Sequence, residues 1–227
     1  MLIIDAFILF ILYLFLSTPT YLSALDPHRE ITQYNIRVWD MTRGLPVNSI
    51  HAILQTRDGY LWIGTGDGLV RFDGVNFVLY NKRKNPQLAG NVIRALYEDR
   101  DGVLWIGTDS GGISYYRAGE FFTYSNETYQ ALNRIRAISE DRQGHLWIGS
   151  LGKGLTCFKN NTFTTYTTRE GLPHNEVRSI YRDGKGELWV TTTTGIVNVS
   201  VEGEFLHITD RAKLPGFKTA CLYEEDK

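Results

Sequence analysis

The sequence predicts an all-β fold, a β-propeller of four-stranded antiparallel blades, and three observations carry that prediction. The first is a period. Trp62, Trp105, Trp147 and Trp189 lie 43, 42 and 42 residues apart, each in the same frame, from Leu61-Trp62-Ile63-Gly64-Thr65 to Leu188-Trp189-Val190-Thr191-Thr192. Self-similarity at that spacing marks a stacked or radial repeat. The second is the content of one period: between Asn91 and Tyr124, short runs rich in Ile, Val, Tyr, Phe and Trp alternate with turns such as Asp101-Gly102 and Ala118-Gly119. That reads as four short strands joined by tight hairpins. The third is copy number: four such units, residues 48–80, 91–124, 133–166 and 175–208, at about 42 residues each, match the size of a propeller blade.

In chain order, the first residues stand apart. Ala6 to Leu16 is a run of eleven apolar residues, followed by Ser17-Thr18-Pro19 and Ser23-Ala24. The run is short for a helix crossing about 30 Å of hydrocarbon and resembles a secretory signal, assigned to residues 1–24, with a retained N-terminal anchor as the alternative. Asp5 stands where such signals carry positive charge. Residues 25–227 are then the N-terminal part of the propeller domain. Ile36-Arg37-Val38-Trp39 precedes Gly44-Leu45-Pro46 by the distance at which Phe163-Thr164-Thr165-Tyr166 precedes Gly171-Leu172-Pro173, so it is expected as an orphan outermost strand. Four full blades follow, joined by polar connectors at residues 81–90, 125–132 and 167–174. Cys221-Leu222-Tyr223-Glu224 repeats the phase of Ile180-Tyr181-Arg182 and opens a partial fifth unit, residues 217–227, expected as one inner strand. The expected object is an incomplete ring with exposed strand edges.

At 43% apolar, with 13 Tyr, 11 Phe and 5 Trp in 227 residues, the composition excludes disorder. The formal charge is -1, and this balance offers no electrostatic reason for binding nucleic acid or an anionic membrane. Membrane contact is expected only through the N-terminal segment or a C-terminal region beyond this chain. The five His residues are scattered, with no i, i+4 pair and no Cys at zinc spacing, so no metal, no cofactor and no catalytic set is read. Cys157 and Cys221 fall in a third and a first strand and are expected as unpaired thiols.

Each first strand opens on Asn48, Asn91, Asn133 or Asn175, and three residues on carries His51, Arg94, Arg136 or Arg178. The first strand of a propeller blade is innermost, so these eight residues are the candidate ligand-binding set: rings of donors near a channel, suited to an anionic or sugar-like ligand. A structural reading stands beside it. Asn can cap a strand through its own backbone, and Arg can pair between blades with the acids of the first hairpin, Asp99, Asp141 and Asp183. The Trp strands are read as structural, with the rings filling the layer between blades and each indole N–H finding a partner. The loops between second and third strands differ among copies, Gly66-Asp67-Gly68 against Asp109 to Gly112, Leu151 to Gly154 and Thr192 to Gly195. Variable loops on a rigid scaffold are where specificity sits.

The repeated frame, Asn-x-Ile/Val-x-x-Ile/Leu, then x-Gly, Leu-Trp-Ile-Gly-Thr, Gly-Leu/Ile and Phe-x-x-Tyr, resembles the two-component regulator propeller repeat from Tyr34 to Lys227, with Val190-Thr191-Thr192 as the departure. The resemblance implies a periplasmic, ligand-sensing input module of a bacterial histidine kinase or diguanylate cyclase. A full-length protein of this kind would be attached to the inner membrane and able to dimerise, with its output domain outside this chain. The expected ligand is an extracellular small molecule such as an oligosaccharide. Two readings from other classes are a secreted propeller enzyme acting on polysaccharide, and a protein-interaction scaffold with a broad exposed aromatic patch.

Overall fold

Four antiparallel sheets, each of four strands paired with their sequence neighbours, make up the strand structure of the described residues. The computed structural model describes residues 37–200 and 204–207. The expected signal, the partial fifth unit and Cys221 lie outside them. The first blade is β1 (Ile50–Gln55), β2 (Leu61–Thr65), β3 (Leu69–Phe72) and β4 (Phe77–Tyr80). The second is β5 (Ile93–Glu98), β6 (Leu104–Thr108), β7 (Gly112–Arg117) and β8 (Glu120–Ser125), and the third is β9 (Ile135–Glu140), β10 (Leu146–Ser150), β11 (Gly154–Lys159) and β12 (Thr162–Tyr166). The fourth is β13 (Val177–Arg182), β14 (Leu188–Thr192), β15 (Ile196–Val199) and β16 (Phe205–His207). The first strands of successive blades are neighbours, β1 beside β5, β5 beside β9 and β9 beside β13, so the blades fan outward from these strands as in a propeller.

The core lies between blades rather than within them. A lone four-stranded sheet has two faces to cover, and each blade covers one face of the next. Trp62 reaches Tyr116 of the second blade at 5.2 Å between ring centroids, and Trp105 reaches Phe158 of the third at 5.8 Å. Around them, Leu69, Ile93 and Ile106 form one fully buried cluster, and Ile113, Leu132, Ile135 and Ile148 part of the next. Close stacking needs a thin strand. A Cβ added at Gly64 would lie 2.9 Å from Ile93 Cγ2 of the next blade, and one at Gly107 only 2.5 Å from Ile135 Cγ2. In the fourth copy Thr191 replaces that glycine and bonds Ser179 across the sheet, Oγ1 to Oγ 2.8 Å, where the other blades pair Ala52, Ala95 and Ala137 with glycine.

Two polar devices lock the frame. Every Trp indole N–H of the four blades donates into its own first hairpin: Trp62 to Thr56 Oγ1 (3.1 Å), Trp105 to Asp99 Oδ2 (2.8 Å), Trp147 to Asp141 Oδ2 (3.0 Å) and Trp189 to Asp183 Oδ2 (2.9 Å). The second device links blades. Arg57 donates its backbone N–H and its Nε to Glu98 Oε2 of the next blade, at 3.0 and 3.3 Å. Arg100 repeats the grip on Glu140, with its backbone N–H at 2.9 Å from Oε2 and its Nε on Oε1, and its Nη2 caps the carbonyls of Asp141 and Arg142.

Residues 37–40 pair with no strand among the described residues, where each third strand is already paired on both sides. Trp39 packs edge-on against Phe72 and Phe77 at the outer end of the first blade, at 5.3 and 6.5 Å. One expectation is corrected here, and it concerns the acids of the first hairpin. Asp99, Asp141 and Asp183 serve the indoles and their own turn N–H groups, so the arginines of the first strands pair elsewhere.

Candidate functional site

The entry to each inner strand is where variable and repeated residues meet. In all four blades the loop after the second strand is tied by a backbone hydrogen bond to the residue at or just before the start of the first: Gly66 to Ser49 O (3.0 Å), Asp109 to Val92 O (2.9 Å), Leu151 to Arg134 O (3.0 Å) and Thr193 to Glu176 O (3.2 Å). This brings the copy-specific loops beside the basic position of each strand. The asparagines brace the arrangement from behind. Asn48 Oδ1 accepts from Met41 N–H (3.2 Å), Asn91 from Lys82 N–H (2.8 Å) and Asn175 from Thr168 N–H (2.9 Å), each clamping the connector that leads in. Asn133 is half-buried at the same place in the third blade.

The basic side chains converge. Arg136 Nη1 lies 2.9 Å from Asp109 Oδ1, and Arg94 Nε lies 3.7 Å from the same oxygen. Among the described residues, Arg94 Nε is the one buried side-chain polar atom without a hydrogen-bond partner. A buried donor of this kind is rare enough in folded proteins to ask for an explanation. His51 Nε2 faces Ser49 Oγ at 3.4 Å. Burial, then the charges of Arg94 and Arg136, push the His51 imidazole below its ordinary value, against a smaller opposing pull from Asp109. Two guanidiniums thus share one carboxylate beside a neutral imidazole. The excess is one positive charge, with donors to spare. Arg178 stands further round, its Nη2 3.8 Å from Glu176 Oε2, which Thr193 Oγ1 also reaches at 2.9 Å.

The structure therefore brings His51, Arg94 and Arg136 into one electrostatic neighbourhood, and pairs Arg178 with an acid of its own strand entry. Asp109 and Glu176 were absent from the candidate set. For Asp109 the signal was present in the sequence: the matching positions hold Gly66, Leu151 and Thr193, so one copy alone carries a carboxylate there. No group of three or more His, Cys, Asp and Glu among the described residues is placed to hold a metal ion.

The two-component regulator propeller family matches residues 44–67, 87–110, 130–152 and 171–194, one segment for each blade. The four blades are two-component regulator propeller repeats. Each matched segment runs from the connector through the Trp strand into the variable loop, so the family's frame covers the strand entries that carry the basic residues. None of the curated proteins compared matches the chain. Among solved structures, these two-component regulator propeller repeats are similar to the extracellular domain of BT4673 from B. thetaiotaomicron, described as a one-component system, at 25% identity and a TM-score of 0.61 over 72% of this chain and 26% of that one. The chain thus spans about a quarter of that domain's length. Virginiamycin B lyase from Staphylococcus aureus is similar at 15% identity and a TM-score of 0.57, over 70% and 55% of the two chains. The gluconolactonase XC5397 from Xanthomonas campestris is similar at 14% and 0.52, over 70% and 61%. The last two likenesses show the propeller fold alone.

Proposed function

We propose that these repeats are the ligand-sensing part of the input module of a bacterial signal-transduction protein, of the histidine kinase or diguanylate cyclase type, acting in the periplasm. The family match and the likeness to the extracellular domain of BT4673 support the module. The observation that carries the ligand reading is the convergence of Arg94 and Arg136 on Asp109, with an unsatisfied Arg94 Nε and a neutral His51 beside them. Such a cluster offers planar and single donors to a hydroxyl-rich or anionic small molecule, and an oligosaccharide fits that description. The ligand would displace solvent from the strand entries and fix the spacing of neighbouring blades. In a full-length, dimeric protein that spacing is what an output domain would read.

Titration calorimetry of the chain with a panel of neutral and acidic oligosaccharides tests this, against the double variant Arg94→Gln/Arg136→Gln. A ligand held by the cluster loses about tenfold or more in affinity in the variant, since hydrogen bonds to charged groups contribute about 1.5–3 kcal/mol each. A panel ligand that binds both proteins equally places the site elsewhere.

A further inference from the structure

At the opposite end of the inner strands, the locks between blades fail once, and the failure has a shape. Arg57 and Arg100 each grip a glutamate on the next blade with a backbone N–H and a guanidinium. The third member of the series is Arg142. Its side chain lies across Gly186, Nε 3.3 Å from where a Cβ would be, just as Arg100 lies across Gly144 at 3.2 Å. The position that holds Glu98 and Glu140 in the two preceding locks is Arg182. Where two blades supply a carboxylate, the fourth supplies a second guanidinium.

No carboxylate among the described residues replaces it. Asp183 is the nearest candidate in the hairpin, but its Oδ1 accepts from the Lys185 and Glu187 N–H groups (3.0 and 2.8 Å) and its Oδ2 from the Trp189 indole (2.9 Å). What remains is an open cleft of about 520 Å³ whose lining includes Arg142, Arg182 and Lys185 together with Asp183. Three cations against one carboxylate already engaged by its own turn and the indole, in a slot whose two counterparts are closed by glutamates, make an unfilled anion position. Arginine's fork suits a two-oxygen planar anion.

We propose that this slot between the third and fourth blades binds a carboxylate from outside the described chain, carried by a small organic acid or by an acidic sugar. It is independent of the strand-entry cluster, because the variants that test it leave Arg94, Arg136 and Asp109 untouched.

The decisive variant is Arg182→Glu, which gives the fourth blade the glutamate of its sisters. Thermal unfolding of the chain is followed at matched ionic strength with glucuronate, acetate, sulfate and uncharged glucose. The slot reading expects glucuronate and acetate to raise the unfolding temperature saturably and glucose to leave it unchanged. It expects Arg182→Glu to unfold at higher temperature than the parent and to lose the response. Arg142→Gln, an exposed side chain, weakens the response about tenfold without the gain in stability. A glucuronate response that persists in Arg182→Glu overturns the proposal, as does a response to glucose equal to that of glucuronate. A parent chain indifferent to both carboxylates overturns it too, since the slot is then closed from within the chain. Sulfate acting as strongly as acetate overturns the choice of a planar anion.

Discussion

Gly107→Ala tests the stacking of blades most directly. Gly107 is the next-to-last residue of β6, facing the first strand of the third blade, with no positive φ that would itself demand glycine. The added Cβ would stand 2.5 Å from Ile135 Cγ2 and 3.1 Å from both Ile135 Cβ and Ala95 Cβ. Carbon atoms in contact prefer about 3.5–4.0 Å, so the overlap approaches an ångström. Ile135 is fully buried and stiff at χ1, so rotation offers no escape. Overpacking of this kind costs about 1–3 kcal/mol, against about 0.4–1 kcal/mol gained by stiffening the unfolded chain. The expected net loss is about 1–2 kcal/mol, or about 2–8 °C in the unfolding temperature. Urea unfolding followed by tryptophan fluorescence measures it, in a cycle with Ile135→Ala. The second substitution alone costs about 2–5 kcal/mol by opening a void. Once that void exists, the methyl at position 107 falls into it, so the pair should depart from additivity by about 0.5 kcal/mol or more. Strict additivity, or a Gly107→Ala chain more stable than the parent, would refute the claim that the glycine is there to admit the neighbouring blade.

Three further outcomes follow from the same frame. The Asp141 carboxyl is pushed up by burial, but the Trp147 indole, the His145 N–H and the His145 ring outweigh this and hold it below the ordinary value. Its contribution is therefore present above about pH 3.9 and lost as pH falls through the folded value; Asp141→Asn should cost about 1.5–3 kcal/mol at pH 7 and flatten the acid limb of the stability profile. For His51 the folded value lies below the unfolded one, so stability should decline as pH falls below about 6.5, and His51→Gln should remove that limb. Cys157 is a buried free thiol whose burial pushes it up to about 11; a thiol-disulfide reagent at neutral pH should leave it unmodified in the native chain and label it as soon as urea unfolds the blades.

Much of the fold was legible because its signals are local. The Trp frame marks the central strand, the x-Gly turns mark the first hairpin, and the apolar strand before each turn supplies the inner strand. The need of each indole for an acceptor was readable too, although its identity was not. Asp99, Asp141 and Asp183 lie six residues before their tryptophans, and Thr56 fills the same role for Trp62. Pairing across blades was harder to read. Glu98 and Arg57 are 41 residues apart, and only the geometry of the sheet shows that the hairpin of one blade leans on the last inner-strand residue of the next. The expectation that first-strand arginines would take the hairpin acids failed for this reason. Those acids lie at the far end of the strand, and the arginines reach Asp109 and Glu176 at the near end instead.

Phase also separates changes that serve the blade from changes that serve something else. Thr191 departs from the glycine of the other copies, yet Ser179 departs with it and the two hydroxyls bond each other. A compensated pair of this kind satisfies itself inside one sheet. Arg182 departs alone: Arg142 lies across Gly186 as Arg100 lies across Gly144, but the carboxylate it would grip is gone. Asp109 also departs alone, and it draws in arginines from two different blades. Uncompensated departures leave charge unbalanced, two guanidiniums on the one Asp109 carboxylate and no carboxylate for Arg142 and Arg182 among the described residues, which a folded chain tolerates only where solvent or a ligand meets it. By that criterion the two ends of the inner strands, the Asp109 cluster and the Arg142–Arg182 slot, are the two places we propose for a ligand to meet this propeller, and the tryptophan layers between them are the scaffold that holds both in register.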